Sequence, residues 1–359
     1  MGGNAFGTLF KVTTFGESHG PGIGAVIDGC PSRIALVAED FVPAMTRRRP
    51  GRTALDTPRR EEDRVEILSG VFEGRTTGAP IALFIHNRDA DSRPYEILRT
   101  AFRPGHADYS FFRKYGHFDF RGGGRSSARE TAARVAAGVV AQKILEPVGI
   151  QVTAQTLEMG GIQARKNIPG AAENNPFFCP DPEAAAEMEG ALKKAREEHD
   201  SLGGIVEVRV AGCPAGLGEP VFDKLDADLA RAVMSVGAVK GVEIGAGFAA
   251  ARLSGSENND PLTPQGFRTN RAGGILGGIS NGDEIVLRAA VKPIPSIKRE
   301  QETITREGQP CKINLEGRYD ISAVPRVVPV LEAMVRLVLA DHLLRFRAIG
   351  NEKLFSTAD

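Results

Sequence analysis

The feature that most constrains the fold is a run of three glycines, Gly122, Gly123 and Gly124, leading straight into an alanine-rich segment. Three successive residues without a Cβ permit turns and close approaches that other residues resist. The alanine-rich segment has helix chemistry. Ser127 and Glu130 stand at capping-box spacing, so the helix is predicted to begin at Ser126 or Ser127. Ala128, Ala132, Ala133, Ala136 and Ala137 favour helix and carry little bulk, so neighbours can approach closely, and Pro147 and Gly149 end the segment. A glycine-rich turn entering a helix N-terminus offers backbone N–H groups and the positive end of the helix dipole to an anion. Arg125 and Arg129 add charge there, and Ser126 and Ser127 add hydroxyls, so the expected guest is a phosphate. The order is not that of a Walker loop. A plain tight turn with serine caps fits the same residues and stays open.

Just upstream, Pro104 and Gly105 punctuate a turn holding Arg103 and His106 before a helical stretch at 107–115. A loop histidine beside an anion site is a candidate for proton transfer, because its ordinary pKa is about 6.5. A surface histidine without a role is the alternative.

Lys+Arg and Asp+Glu both number 45, which argues against nucleic acid or an anionic membrane as a global partner. The basic residues are nevertheless clustered. Cys30, Cys179, Cys213 and Cys311 are scattered without C-x-x-C or histidines at ligand spacing, so neither a metal site nor a disulfide framework is expected. Reduced cytosolic thiols, the lack of a signal-peptide pattern and the lack of an apolar run of about 18 residues predict a cytoplasmic protein. No convincing linker divides the 359 residues, so one domain spanning 1–359 is expected.

Along the chain, 7–15 and 23–27 read as strands of a hairpin with Ser18 and His19 at its tip, a common place for chemistry. A short helix is predicted over 38–49, ending in Arg47, Arg48 and Arg49. Residues 50–63, with Arg52, Arg59 and Arg60 and little apolar content, read as a mobile basic loop, a lid for an anionic ligand. Strands are predicted at 65–68, 81–85, 151–157 and 205–210, and loop at 86–99. Asp181 and Pro182 form an N-cap and N1 pair opening a helix to about 199. A further helix is predicted at 225–236. Paired glycines at 273–274 and 277–278 allow close approach, and Asn281-Gly282 signals a hairpin into a return strand at 284–291. Pro293 and Pro295 keep 292–296 out of regular sheet. A long amphipathic helix is predicted over 327–347, with His342 structural. Hairpin signals interrupted by long helices predict an α+β architecture of antiparallel sheets packed on helices.

Taken together the chain resembles the chorismate synthases over almost its whole length. The resemblance lies in 14–20 (TFGESHG), 47–51 (RRRPG), 103–108 (RPGHAD), 124–131 (GRSSARET), 239–241 (VKG) and 273–280 (GGILGGIS). It implies a β-α-β sandwich, a homotetramer, and conversion of 5-enolpyruvylshikimate 3-phosphate to chorismate by 1,4-elimination, in the shikimate pathway of aromatic amino acid biosynthesis. It implies reduced FMN without net redox change, with NADPH only indirectly involved, as the source of reduced flavin. Residue by residue, it places FMN against Arg125, Ser126, Ser127, Gly237, Ala238, Gly277, Lys292, Pro293, Ile294, Pro295, Ser296 and Arg318. It places the substrate's anionic groups near Ser18, His19, Arg48, Arg103 and Arg129. His19 is expected to protonate the departing phosphate, His106 to protonate or polarise the reduced flavin, and Asp320 to act with flavin N5 in removing the ring proton. Such polyanionic ligands need dense cations, for which arginine's planar fork is suited. Three positions depart from the family's pattern: Tyr319 replaces a usual His or Ser, Gly237 replaces Asn of some members, and Ala54 replaces a second basic residue, with Arg52 close by.

Three other readings compete. A phosphoryl transferase lacks its Walker lysine and a Mg²⁺ carboxylate pattern. A flavin reductase lacks a nicotinamide fingerprint. An RNA or anion binder built on 47–60 lacks aromatic residues interleaved with its arginines.

Overall fold

The computed structural model describes residues 3–53, 55–57, 59 and 61–349; Ala54 and Arg60 lie outside the described residues. Ten strands build two sheets: β1 (Ala5–Phe6), β2 (Lys11–Gly16), β3 (Gly22–Asp28), β4 (Val65–Ile67), β5 (Ile81–His86), β6 (Gln151–Met159), β7 (Ile162–Gln163), β8 (Gly204–Ala211), β9 (Val239–Ile244) and β10 (Ile285–Val291). The first sheet has the order β1-β2-β3-β5-β4 and the second β9-β10-β8-β6-β7. Every ladder in both is antiparallel, as the hairpin-rich sequence predicts.

The longer helices are α1 (Val42–Arg48), α2 (Asp108–Tyr115), α3 (Thr131–Leu145), α4 (Pro182–Glu197), α5 (Leu225–Met234) and α6 (Val324–Ile349). Helix α3 packs on β3 and β5, α6 packs on β6 and β8, and the two helices pack on each other. The result is a sandwich with a helical filling. Alanine explains why it closes: Ala132, Ala133, Ala136, Ala137 and Ala141 of α3 are all buried. At Gly138 a Cβ would stand 2.7 Å from Ala333 Cα of α6, so the absence of a side chain lets the two helices meet.

Helix α6 departs from its expectation. It begins at Val324 and is buried around most of its circumference rather than amphipathic. Its polar residues are accordingly paired. Glu332 receives Arg47 at 2.6 Å and the Ala154 N–H at 2.9 Å. Asp341 accepts from the N–H groups of Thr8, Leu9 and Phe10. His342 meets Asp228 at 3.0 Å, a structural role as expected.

Other sequence expectations hold or shift for local reasons. Asp181 caps α4, accepting from the N–H groups of Glu183 and Ala184. Asn281-Gly282 does not make a hairpin. Ile279–Ser280 pairs back with Ile275–Leu276, while β10 lies between β8 and β9. The 86–99 segment contains a 3-10 helix, Arg93–Arg99, which sets Tyr95 against His19. Among the described residues no helix is long and apolar enough to cross a membrane, and no group of His, Cys, Asp or Glu could hold a metal ion.

Candidate active site

A cavity of about 760 Å³ gathers residues from the β2–β3 tip, α1, the 50–63 loop, the glycine turn and the N-terminal end of α6. The glycine turn explains how two histidines come to its edge. Gly122, Gly123 and Gly124 all have positive φ, 57°, 83° and 52°. A Cβ on Gly122 would strike the His19 ring at Cδ2 and Nε2. One on Gly123 would stand 3.3 Å from His106 Cε1 and 3.5 Å from its Nε2. Adjacent glycines therefore each make room for one imidazole. The hairpin tip is tied to this turn by Ser18 N–H donating to the Gly124 carbonyl, and Asn87 donates to the carbonyls of Glu17 and Gly20.

The expected helix start shifts here. Ser127 caps a single 3-10 turn, Ala128–Glu130, by accepting from Arg129 N–H, and the α-helix begins at Thr131. The capping box with Glu130 is not formed, because that carboxylate instead accepts from Thr14 Oγ1 and Arg134. Ser126 Oγ donates to the Gly123 carbonyl, and the Ser127 and Glu130 N–H groups donate within the turn. Both serines line the cavity, and Ser127 also performs the local capping role that the sequence left open.

His106 and His19 are held differently. His106 Nδ1 lies 2.8 Å from Asp108 Oδ1, and Asp108 in turn takes Arg103 through Nε and Nη2, both at 2.7 Å. Burial lowers the His106 pKa, and Asp108 pulls against that. Burial would raise the Asp108 carboxyl, but Arg103 and His106 outweigh it and hold it below the usual range. His19 Nδ1 meets Ser92 Oγ at 2.8 Å, and its ring stands edge-on to Tyr95. Burial lowers its pKa too, reinforced by the cation of Arg59. His19 is not itself in the cavity lining; its neighbours Ser18 and Gly122 are.

Arg48 and Arg129 line the cavity but share one buried carboxylate, Asp63. Arg48 reaches it at 3.0 Å and Arg129 pairs with it closely. Their remaining bonds go to Thr131 Oγ1 and the Ala128 carbonyl, and to Asn87 Oδ1 and the His86 carbonyl. Burial pushes the Arg48 pKa down to about 9, with Asp63 opposing, so it stays charged at neutral pH. The trio carries one net positive charge in a dry setting, where Coulombic attraction for an anion is least screened. The 50–63 loop contributes Arg59, which binds Glu61 at 2.7 Å and donates to Ser18 Oγ at 3.3 Å. Arg52 does not replace the missing basic position at the cavity: its guanidinium stacks on the Phe178 ring at 3.9 Å.

Of the residues expected at the flavin, Arg125, Ser126, Ser127, Gly237, Ala238, Lys292, Ile294, Pro295, Ser296 and Arg318 line the same cavity. Pro293 lies outside the lining, and so does Gly277, which sits at the turn of the Ile275–Leu276/Ile279–Ser280 hairpin. Lys292 Nζ donates to the Gly105 carbonyl at 2.6 Å; burial lowers its pKa, and Lys240 adds to this. Arg318 pairs with Asp89 at 3.0 Å. Tyr319, one of the departures, has its hydroxyl buried, and burial raises its pKa. Asp320 accepts from Thr57 N–H at 2.8 Å and from Arg326 at 2.6 Å.

Asp63, Asp108, Tyr95 and Arg326 were not singled out from the sequence. Asp108 closes the 103–108 motif, so its fixed distance from His106 was available as a signal. Asp63 and Arg326 carry no local pattern and meet only through the fold.

A deep cavity walled by cations, with two half-buried imidazoles and a carboxylate at its edge, defines an enzyme site for polyanionic ligands. The chorismate synthase family model matches residues 10–344. The chain is 59% identical over 354 residues to the chorismate synthase of Syntrophus aciditrophicus, covering 97% of this chain and 99% of that one. It is 60% identical over 344 residues to that of Syntrophobacter fumaroxidans, covering 96% and 98%. A solved structure described as "Crystal Structure of Chorismate Synthase" superposes with a TM-score of 0.77 at 34% identity, covering 98% of this chain and 96% of that one. This chain belongs to the chorismate synthase family.

Proposed function

We propose that the cavity binds 5-enolpyruvylshikimate 3-phosphate together with reduced FMN and eliminates phosphate to form chorismate. The observation that carries this reading is the pair of imidazoles seated on adjacent glycines at one arginine-walled cavity. A volume of about 760 Å³ lies within the usual range of about 300–1,000 Å³ for small-molecule pockets. The residues fit the flavin: Gly237, Ala238, Val239, Ile294 and Pro295 offer a largely apolar wall for a flat ring, while Lys240 and Lys292 offer charge for its phosphate. When bound, reduced FMN supplies an electron transiently and recovers it.

The chain's own residues carry the rest. Arg48, Arg103 and Arg129 hold the substrate's anionic groups beside Ser18. The substrate's phosphate brings negative charge towards His19, which favours its charged form, and His19 delivers a proton to the departing phosphate. Asp108 orients His106 through Nδ1, leaving the Nε2 edge against Gly123, and His106 protonates or polarises the flavin. Asp320 takes part in removing the ring proton. Walls and loop exclude water, which strengthens each of these charges. We further propose that 50–63 closes as a lid, that the active form is a homotetramer in the cytoplasm, and that NADPH serves only as an external source of reduced flavin. Light scattering tests the assembly.

Anaerobic protein supplied with chemically reduced FMN and substrate should release phosphate and chorismate in equal amounts. Absence of both, or phosphate release that depends on a nucleotide, would overturn the reading. Oxidised FMN with NADPH should give no product without an added reductase.

A further inference from the structure

We propose that Thr57 is a positioning residue for the Asp320 carboxylate. Thr57 makes two bonds to the same short segment. Its N–H donates to Asp320 Oδ1 at 2.8 Å, and its hydroxyl donates to the Arg318 carbonyl at 3.0 Å. The residue is only 7% exposed, although it belongs to a segment without regular structure. On the other side, Arg326 donates to Asp320 Oδ2 at 2.6 Å. The carboxylate is thus held at both oxygens, once from α6 and once from the loop. Each carboxylate oxygen can accept more than one hydrogen bond, and Asp320 lines the cavity. Arg326 is rooted in a helix, while Thr57 lies outside any helix or strand.

The inference rests on reading Asp320 as a proton acceptor. In the 1,4-elimination the ring C–H bond breaks and its proton passes to the carboxylate, its electron pair forms a new ring double bond, the existing ring double bond shifts to the carbon bearing phosphate, and the C–O pair leaves with the phosphate. A carboxylate free to rotate would meet that proton less often. Thr57 therefore governs the C–H step rather than ligand binding.

Thr57→Val keeps the N–H and the side-chain shape but removes the hydroxyl that pins residue 57 to Arg318. Thr57→Ser restores the hydroxyl. With the full chain, reduced FMN and substrate, Thr57→Val should lower kcat on the order of 10-fold while KM changes little. Substrate carrying deuterium at the departing ring position should show a larger isotope effect in Thr57→Val than in wild type. Thr57→Ser should return both quantities towards wild type. An unchanged kcat, a KM change alone, or a slower kcat with an unaltered isotope effect would overturn the proposal. So would a loss explained entirely by a smaller folded fraction in urea titration, with kcat per folded site unchanged. Asp320→Asn, run beside these, separates the two layers. If it turns over like wild type, the reading of Asp320 fails. If it is inactive while Thr57→Val is normal, only the role of Thr57 fails.

Discussion

The two histidines at the cavity edge occupy equivalent seats but have unlike support. Each lies against a glycine of the same turn, and burial lowers the pKa of both. His106 Nδ1 stands 2.8 Å from Asp108 Oδ1 and 3.0 Å from Arg103 Nη2, and that carboxylate is itself held by Arg103 Nε and Nη2. His19 is supported by a serine hydroxyl, which can donate or accept, and it sits near the cation of Arg59. The difference suits different tasks. A ring anchored to a carboxylate that an arginine holds in place keeps one orientation towards a ligand, whereas a ring on a serine hydroxyl rests on a neutral and weaker partner.

The severest way to break this comparison is to remove each ring. His19→Ala and His106→Ala should each lower chorismate formation by about 10²-fold or more, the usual scale of acid–base catalysis. Turnover near wild type in either variant would take that histidine out of the mechanism.

A change that touches neither ring serves as the contrast. Asp63 compensates Arg48 and Arg129, with its side chain and both partners almost entirely buried. Asp63→Asn leaves two buried cations without a counter-charge and should cost about 3–5 kcal/mol in urea unfolding. The two arginines hold the Asp63 pKa below its ordinary value despite burial. Its stabilisation is therefore present above the unfolded-state pKa and is lost as pH falls through the lowered one, below about 3.9. The same unfolding titration across acidic pH reads this.

Glycine substitutions sharpen the comparison of the two seats. Both positions have positive φ, so each alanine carries a backbone cost of about 1–2 kcal/mol. Only Gly122→Ala drives a methyl group into an imidazole; at Gly123 the nearest atom, His106 Cε1, is 3.3 Å away and needs to give only slightly. Gly122→Ala should lower kcat more than Gly123→Ala, and the reverse order would contradict the seating.

The smallest expected effect is in titration. Both histidines prefer the neutral form in the folded chain, so stability falls as pH drops below the unfolded value of about 6.5 towards their lowered values. Asp108→Asn removes the contact that raises His106 and should lower that histidine's pKa further while leaving His19 unmoved. Ring-proton NMR titration distinguishes the two.

Much of this was legible in the residues themselves. Short-range chemistry announced the Asp181 cap, the β2–β3 hairpin with its polar tip, the antiparallel character and the glycine turn. The 103–108 motif placed His106 beside Arg103, although its Asp108 partner went unassigned. The Ser127 cap was legible too, but its capping box was not, because Glu130 had stronger partners in Thr14 and Arg134 than in a backbone N–H.

The local pattern by itself determined turns, caps, strand alternation and the small-residue face of α3, since those depend on neighbours a few residues away. Tertiary structure alone decided that Asp63 would serve two arginines, that Asp320 would be gripped by Thr57 and Arg326, and that each of two adjacent glycines would receive one imidazole. Charges paired across tens or hundreds of residues leave no periodic trace. They meet because two sheets close on two helices that alanine and glycine allow to touch.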